Sequence, residues 1–231
     1  MTRLQKTVSR SAVAAFLMSA ALPGAALAAD LAKYRNFELG ADLATVAQLA
    51  GVNPSQAKVI HARPALIQEL KFSPRPLGSS AQTEPAKEVL FTFYDGKLFR
   101  IAIDYDRYET EGMTAADFVD AISATYGPAE KPASAALVSS GRYSEPQEVF
   151  AQWQDPQYRF ELVRLSYGLT FRLVGTMKSL EAPAHTAALE AQRLDDREAP
   201  KREAARLASE DLAVKAKLEE ARLANKPKFR P

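Results

Sequence analysis

Polar and apolar positions divide the chain into two helix-then-strand stretches and a tail. Gly40-Ala41-Asp42 opens an amphipathic segment with Leu43, Val46 and Ala50 at helical spacing, closed by Gly51 and followed by Pro54. Gly112-Met113-Thr114 opens a second, with Phe118, Ile122 and Tyr126 on one face, closed by Gly127-Pro128. Asp42 and Thr114 are natural N-caps, and Thr114 with Asp117 has the spacing of a capping box. The pattern predicts a second helix about one turn longer than the first, each ended by a glycine in the left-handed conformation.

Strand-like sequence follows each helix. After the first come residues 59–63 and 66–72, with Pro64 marking an edge or bend. Residues 89–94, then Asp95-Gly96, then residues 97–105 make the clearest hairpin signal in the chain. Alternation sets Phe91 and Phe93 on one face, and Phe99, Ile101, Ile103 and Tyr105 on one face of the partner strand. Residues 149–153, 158–165 and 169–174 follow the second helix, separated by Asp155-Pro156 and Tyr167-Gly168. Helix then meander, twice, predicts an α+β fold with an antiparallel sheet, as candidate tandem repeats over 36–108 and 109–180.

Past residue 180 the composition changes. Residues 29–180 hold 18 of the 20 aromatic residues, whereas 181–231 hold one, Phe229, among 21 charged residues and 13 alanines. Such a segment builds no core of its own, but its Ala, Leu, Glu, Lys and Arg are strong helix formers. Two helical pieces are expected, 184–198 and 201–224, with Pro200 ending the first or standing in the first turn of the second; a solvated helix, a helix docked on the module or a partner, and a partly disordered tail are the alternatives. In the second, Leu207, Val214, Leu218 and Ala221 form a narrow stripe, and Leu212 and Leu223 lie opposite. Leu207/Leu218 and Leu212/Leu223 are each eleven apart, so no heptad zipper is present. The end, 226–231, is short, basic and proline-rich.

The first 28 residues read as an export signal. Arg3, Lys6 and Arg10 precede an apolar run from Ala12 to Leu22; Pro23-Gly24 breaks it, and Ala26-Leu27-Ala28 places cleavage between Ala28 and Ala29. The run is short for a membrane anchor. The expected address is therefore periplasmic or secreted, with no stable membrane anchor after cleavage. Removing this segment leaves 27 bases against 28 acids, so the formal charge of +2 belongs to the signal and nucleic acid is not an expected partner.

Candidate chemistry is sparse. With no cysteine and two histidines, thiolate metal sites, disulfides and cysteine nucleophiles are excluded, and neither a metal nor a cofactor is expected. His61 is the one residue on which an enzyme or small-ligand reading could rest, and no G-x-S-x-G, S-x-x-K or H-E-x-x-H accompanies it. The acidic stretch 104–111 does not fit a calcium loop, because Tyr108, Glu109 and Ala115 occupy its fifth, sixth and twelfth positions. Tyr94, Tyr105, Tyr108, Trp153, Arg159, Arg164 and Arg172 form the candidate protein-contact surface, aromatic and arginine residues being those favoured at interfaces.

A glycine and capping residue, a short helix, a closing glycine and then aromatic strands with Tyr94-Asp95-Gly96-Lys97-Leu98 resemble the SmpA/OmlA class of outer-membrane assembly proteins. The wider fold family includes the proteinaceous β-lactamase inhibitors, which resemble two such modules in tandem. Here the matching elements are 40–51 with 94–98, and 112–128 with 153–174. The chain also resembles a group of exported bacterial proteins with the same basic tail. The lipidated cysteine of SmpA/OmlA proteins has no counterpart in this sequence. The resemblance implies a non-enzymatic, protein-binding or adaptor module with an envelope protein as partner; the alternative is an inhibitor of a periplasmic or secreted hydrolase.

Overall fold

A computed structural model of the protein describes residues 30–74, 85–132, 148–164, 170–228 and 230. The export segment with Ala28 and Ala29, and Tyr167 and Phe229, lie outside the described residues. The fold is α+β. A two-stranded ribbon, β1 (Lys33–Tyr34) and β2 (Phe37–Glu38), precedes helix α1 (Leu43–Ala50) and strands β3 (Lys58–His61), β4 (Ile67–Phe72), β5 (Ala86–Tyr94) and β6 (Lys97–Tyr105). Helix α2 (Ala115–Tyr126), strands β7 (Glu148–Gln154), β8 (Tyr158–Arg164) and β9 (Phe171–Met177), and helix α3 (Lys178–Asn225) complete it. One antiparallel sheet holds seven strands in the order β3-β4-β5-β6-β9-β8-β7. Helix then meander thus occurs twice, with four strands after α1 and three after α2.

The caps form as their sequence predicts. The Asp42 carboxylate accepts from the Thr45 amide at 2.8 Å, and Gly51 takes the left-handed conformation after α1. Thr114 and Asp117 complete a reciprocal capping box, and α2 is four residues longer than α1. Gly127 also has positive φ, but its ψ of −172° makes it an extended exit instead of the expected left-handed cap.

The first face of the sheet carries the core. Phe91, Phe93, Leu98, Ile101, Ile103, Phe160, Leu162 and Leu173 are buried there together with Val46 and Ala47 of α1 and Phe118 and Ile122 of α2. One expectation fails on this face. Thr92 pairs with Arg100 but Phe93 with Leu98, so Phe99 is an extra residue on β6; Leu98 joins the core cluster in its stead, and Phe99 is buried outside that cluster. In the centre, Gly175 lies between Ile101 and Phe160, and the Phe160 ring fills the space that a side chain would occupy. Tyr126 stacks on that ring at 4.6 Å and donates its hydroxyl to the Lys33 carbonyl, fastening the ribbon.

The second face carries a small apolar cluster, Ala102, Val149, Val163 and Val174 with Leu90 against it, and is crossed by α3. Its first twenty residues run from the β7–β8 turn, where Lys178 Nζ donates to Gln154 Oε1 and the Asp155 carbonyl, to the β3–β4 connection, where Glu198 pairs with Arg63. About 30 Å of helix matches six interstrand spacings of about 4.8 Å. Ala184, Ala187 and Ala191 are its buried contact residues. The expected break at Pro200 does not occur: α3 is one helix of 48 residues with Pro183 and Pro200 inside it, and it begins before the expected boundary. Every described residue beyond Pro200 is exposed.

Gly175→Ala tests the close approach at the centre of the sheet. Its Cβ would stand 2.5 Å from Phe160 Cε1 and 2.7 Å from Cζ. Overpacking of this kind costs about 1–3 kcal/mol, to be read as a lowered urea midpoint, and Phe160→Leu in the same chain should recover part of it.

Candidate functional site

The seven residues expected at one contact surface are divided by the structure among three places. Trp153 is the clearest correction. It is 1% exposed, and its Nε1 donates to the Gly127 carbonyl at 3.0 Å and to Ser123 Oγ at 3.2 Å. Its parity on β7 turns it inward, where it holds the end of α2. Tyr105 also turns toward the core and packs on Phe118, 5.2 Å between centroids. Tyr94, at the end of β5, is half-buried.

Two of the three arginines serve the fold. Arg172 makes a two-pronged pair with Asp104, its register neighbour on β6, at 2.5 and 2.8 Å; that bond raises its pKa further above the arginine range. Arg159 donates through Nη2 to Glu181 of α3 at 2.5 Å, and its Nε lies 3.3 Å from Glu161. Arg159, Thr176 and Arg100 stand side by side on β8, β9 and β6, so this row is the internal joint between sheet and α3. Arg100, which no motif in the sequence singles out, is half-buried in it. Burial and the nearby Arg172 lower its pKa, against Glu181, Glu161 and Glu69. Arg164 stays at the surface, paired with Glu148 at 2.8 Å and lying over the Phe150 ring.

Tyr108 is the candidate that fully reaches solvent, at 72% exposure. It sits in the loop from Asp106 to Met113, joining β6 to α2. Asp106 organises that loop: its carboxylate accepts from the Tyr108 and Glu109 amides, and its carbonyl accepts from the Thr110 amide and hydroxyl. The Asp106 amide donates to the Pro85 carbonyl, tying the loop to β5. The Arg107 guanidinium lies 4.9 Å from the Tyr108 ring centroid. The phenol is thus presented on a braced loop, so little ordering entropy remains to be lost on contact.

The distal half of α3 is the second exposed element. Leu207, Leu212, Val214, Leu218 and Leu223 are all exposed on it, half of the exposed large apolar side chains found among the described residues. From Lys201 to Asn225 it projects about 36 Å at 1.5 Å per residue. Arg206 with Glu203 and Glu210, and Arg222 with Glu219, brace it along its own surface. No helix among the described residues is long and apolar enough to cross a membrane.

His61 lies partly buried at the end of β3, on the outer edge of the sheet. No group of three or more His, Cys, Asp or Glu side chains among the described residues is placed to hold a metal ion. Compared with models of protein families, with curated proteins and with solved structures, the chain matches none.

The buried carboxyl of Glu161, beside the row of Arg159, Thr176 and Arg100, gives a pH signature. Burial raises the Glu161 carboxyl pKa, against the opposing pull of Arg159. A raised acid binds its proton more tightly in the folded state, so its contribution to stability is full below the ordinary glutamate pKa and lost as pH rises through the folded value. Glu161→Gln removes that term. Its stability, from urea unfolding at a series of pH values, should fall less between pH 4 and 7 than that of the parent chain.

Proposed function

We propose that this is a non-enzymatic protein-binding or adaptor module of the bacterial cell envelope, exported by its N-terminal segment, with the free half of α3 as its contact element. The observation that carries this reading is the two stripes of exposed leucines on a helix held away from the body. Apolar side chains gathered on a projecting element mark an interaction site more often than scattered ones do. Nucleation is the costly step in making a helix, and the docked half of α3 has already supplied it, so the arm is helical before any partner arrives. The SmpA/OmlA-like order of elements and the two helix-then-meander stretches agree with an envelope adaptor built from two related modules.

The loop carrying Tyr108 favours a second reading, an inhibitor of a periplasmic or secreted hydrolase. A braced loop with one exposed aromatic and acidic flanks has the form of an element that enters a cleft.

Crosslinked capture from the native cell envelope separates the two, using the full chain, a chain ending at Pro200 and Tyr108→Ala. The cut belongs after Pro200, because residues 178–198 cross the sheet. The adaptor reading expects a partner held by the full chain and by Tyr108→Ala and lost on truncation. A partner that survives truncation and is lost with Tyr108→Ala supports the inhibitor reading instead.

A further inference from the structure

The free arm of α3 has a polarity along its length that its composition hides. At 100° per residue, the face centred on Val214 carries Leu207, Val214, Leu218 and Ala221 as its apolar seam. In the first half of the arm Glu203 lies on this seam, Glu210 and Asp211 flank it, and Arg206 stands at its edge. In the second half it is flanked by Lys215, Lys217 and Arg222. Arg206 stands as near the seam as Arg222 does and pairs with Glu203 and Glu210, leaving the first half net acidic; Glu219 lies farther round the helix and pairs with Arg222, leaving the second half net basic.

An acidic half followed by a basic half on one seam is complementary to itself only when reversed. We propose that the arm pairs antiparallel with the same arm of a second copy of this chain, an inference that rests on reading the arm as a contact element. A two-fold axis near Ala213 sets Leu207 beside Leu218 of the second copy, Asp211 beside Lys215 and Glu210 beside Lys217, each pair made twice. These pairs also fall on matching flanks, as antiparallel helices require: Glu210 and Lys217 on one side of the seam, Asp211 and Lys215 on the other. A parallel arrangement sets acid on acid and base on base. The helix dipoles agree with the reversed orientation as well.

The eleven-residue interval between Leu207 and Leu218 corresponds to 3.67 residues per turn, which favours straight or slightly right-handed pairing over a left-handed zipper. The seam is narrow, so the interface belongs with the small, reversible class. Pairing of this kind leaves Leu212 and Leu223, on the opposite side of the helix, facing outward. Two arms joined in this way present that second stripe twice.

Sedimentation velocity on the purified full chain over about 1–200 μM tests this, a range chosen for a weak interface. The expected result is a concentration-dependent dimer whose self-association weakens at least tenfold in Glu210→Lys with Asp211→Lys. The same loss is expected in Lys215→Glu with Lys217→Glu, and mixing the two variants should restore a dimer. The urea midpoint of the body should not move, since these side chains are exposed on the arm. The parent chain has no cysteine, so orientation can be read by oxidation: Leu207→Cys mixed with Leu218→Cys should crosslink, and Leu207→Cys alone should not. A monomer at every concentration, a dimer indifferent to both charge reversals, or a disulfide joining two copies of the Leu207→Cys chain would overturn the proposal. A monomer that still holds an envelope partner through the arm overturns self-pairing alone and leaves the adaptor reading standing.

Discussion

The approach of α3 to the charged row on the second face of the sheet is the contact on which the rest of the molecule depends. Ala184, Ala187 and Ala191 have no bulk to hold the helix away, so it lies close enough for Glu181 to reach Arg159. The row beneath, Arg159, Thr176 and Arg100, would be poorly suited to an apolar cover. A buried charge is tolerable when an opposite charge shares its burial, and removing one partner leaves the other stranded. Small helix residues and long sheet residues therefore divide the available space, the arginines filling what the alanines leave.

This joint sets the geometry of everything distal to it. A helix with twenty residues fixed against a sheet has a defined direction when it passes the edge, and the arm inherits that direction. Arg63 and Glu198 meet where it leaves. An exposed pair of this kind contributes little to stability; its place at the edge matters more, because Pro200 lies just beyond and every described residue after it stands in solvent. The two exposed elements, loop and arm, are thus carried differently. Asp106 holds Tyr108 through local backbone hydrogen bonds, whereas the arm is held by a helix anchored across seven strands.

The helices and the central hairpin are legible in the sequence because their determinants are local. Asp42, Thr114 and Asp117 cap within three residues of themselves, and Asp95-Gly96 forms its turn without reference to the rest of the chain. Errors arise where the determinant is distant. Alternation places Phe99 in the cluster with Ile101 and Ile103, and one extra residue on β6 gives that place to Leu98 while Phe99 stays buried. Trp153 and Arg172 sit on opposite faces of one sheet, and period-2 patterning assigns parity without saying which face is the core. The partner of Arg172 is 68 residues away, and that of Arg159 lies on a helix whose docking no local pattern announces. Pro200 misleads for an energetic reason: its cost of about 3 kcal/mol is local, and a long run of alanine, leucine and charged helix formers continues on both sides of it. The exposed leucines of the arm are visible from spacing alone.

The order of the strands bears on how the chain reaches this state. β9 is the last strand to be made, yet it occupies an inner position, with β6 on one side and β8 on the other. Until residue 177 is available, β6 has an unsatisfied edge and β8 lacks one neighbour, so the earlier meander remains an open sheet with a hydrogen-bonding template along its side. Closure joins residues about seventy positions apart, a separation that slows folding more than it affects final stability. The strand that closes the sheet runs directly into the helix that crosses its second face, Met177 being followed at once by Lys178. Zipping of the centre and shielding of the charged row are thereby nearly simultaneous events, and the time during which the half-made sheet can pair with a neighbouring chain is set by the arrival of a single seven-residue segment.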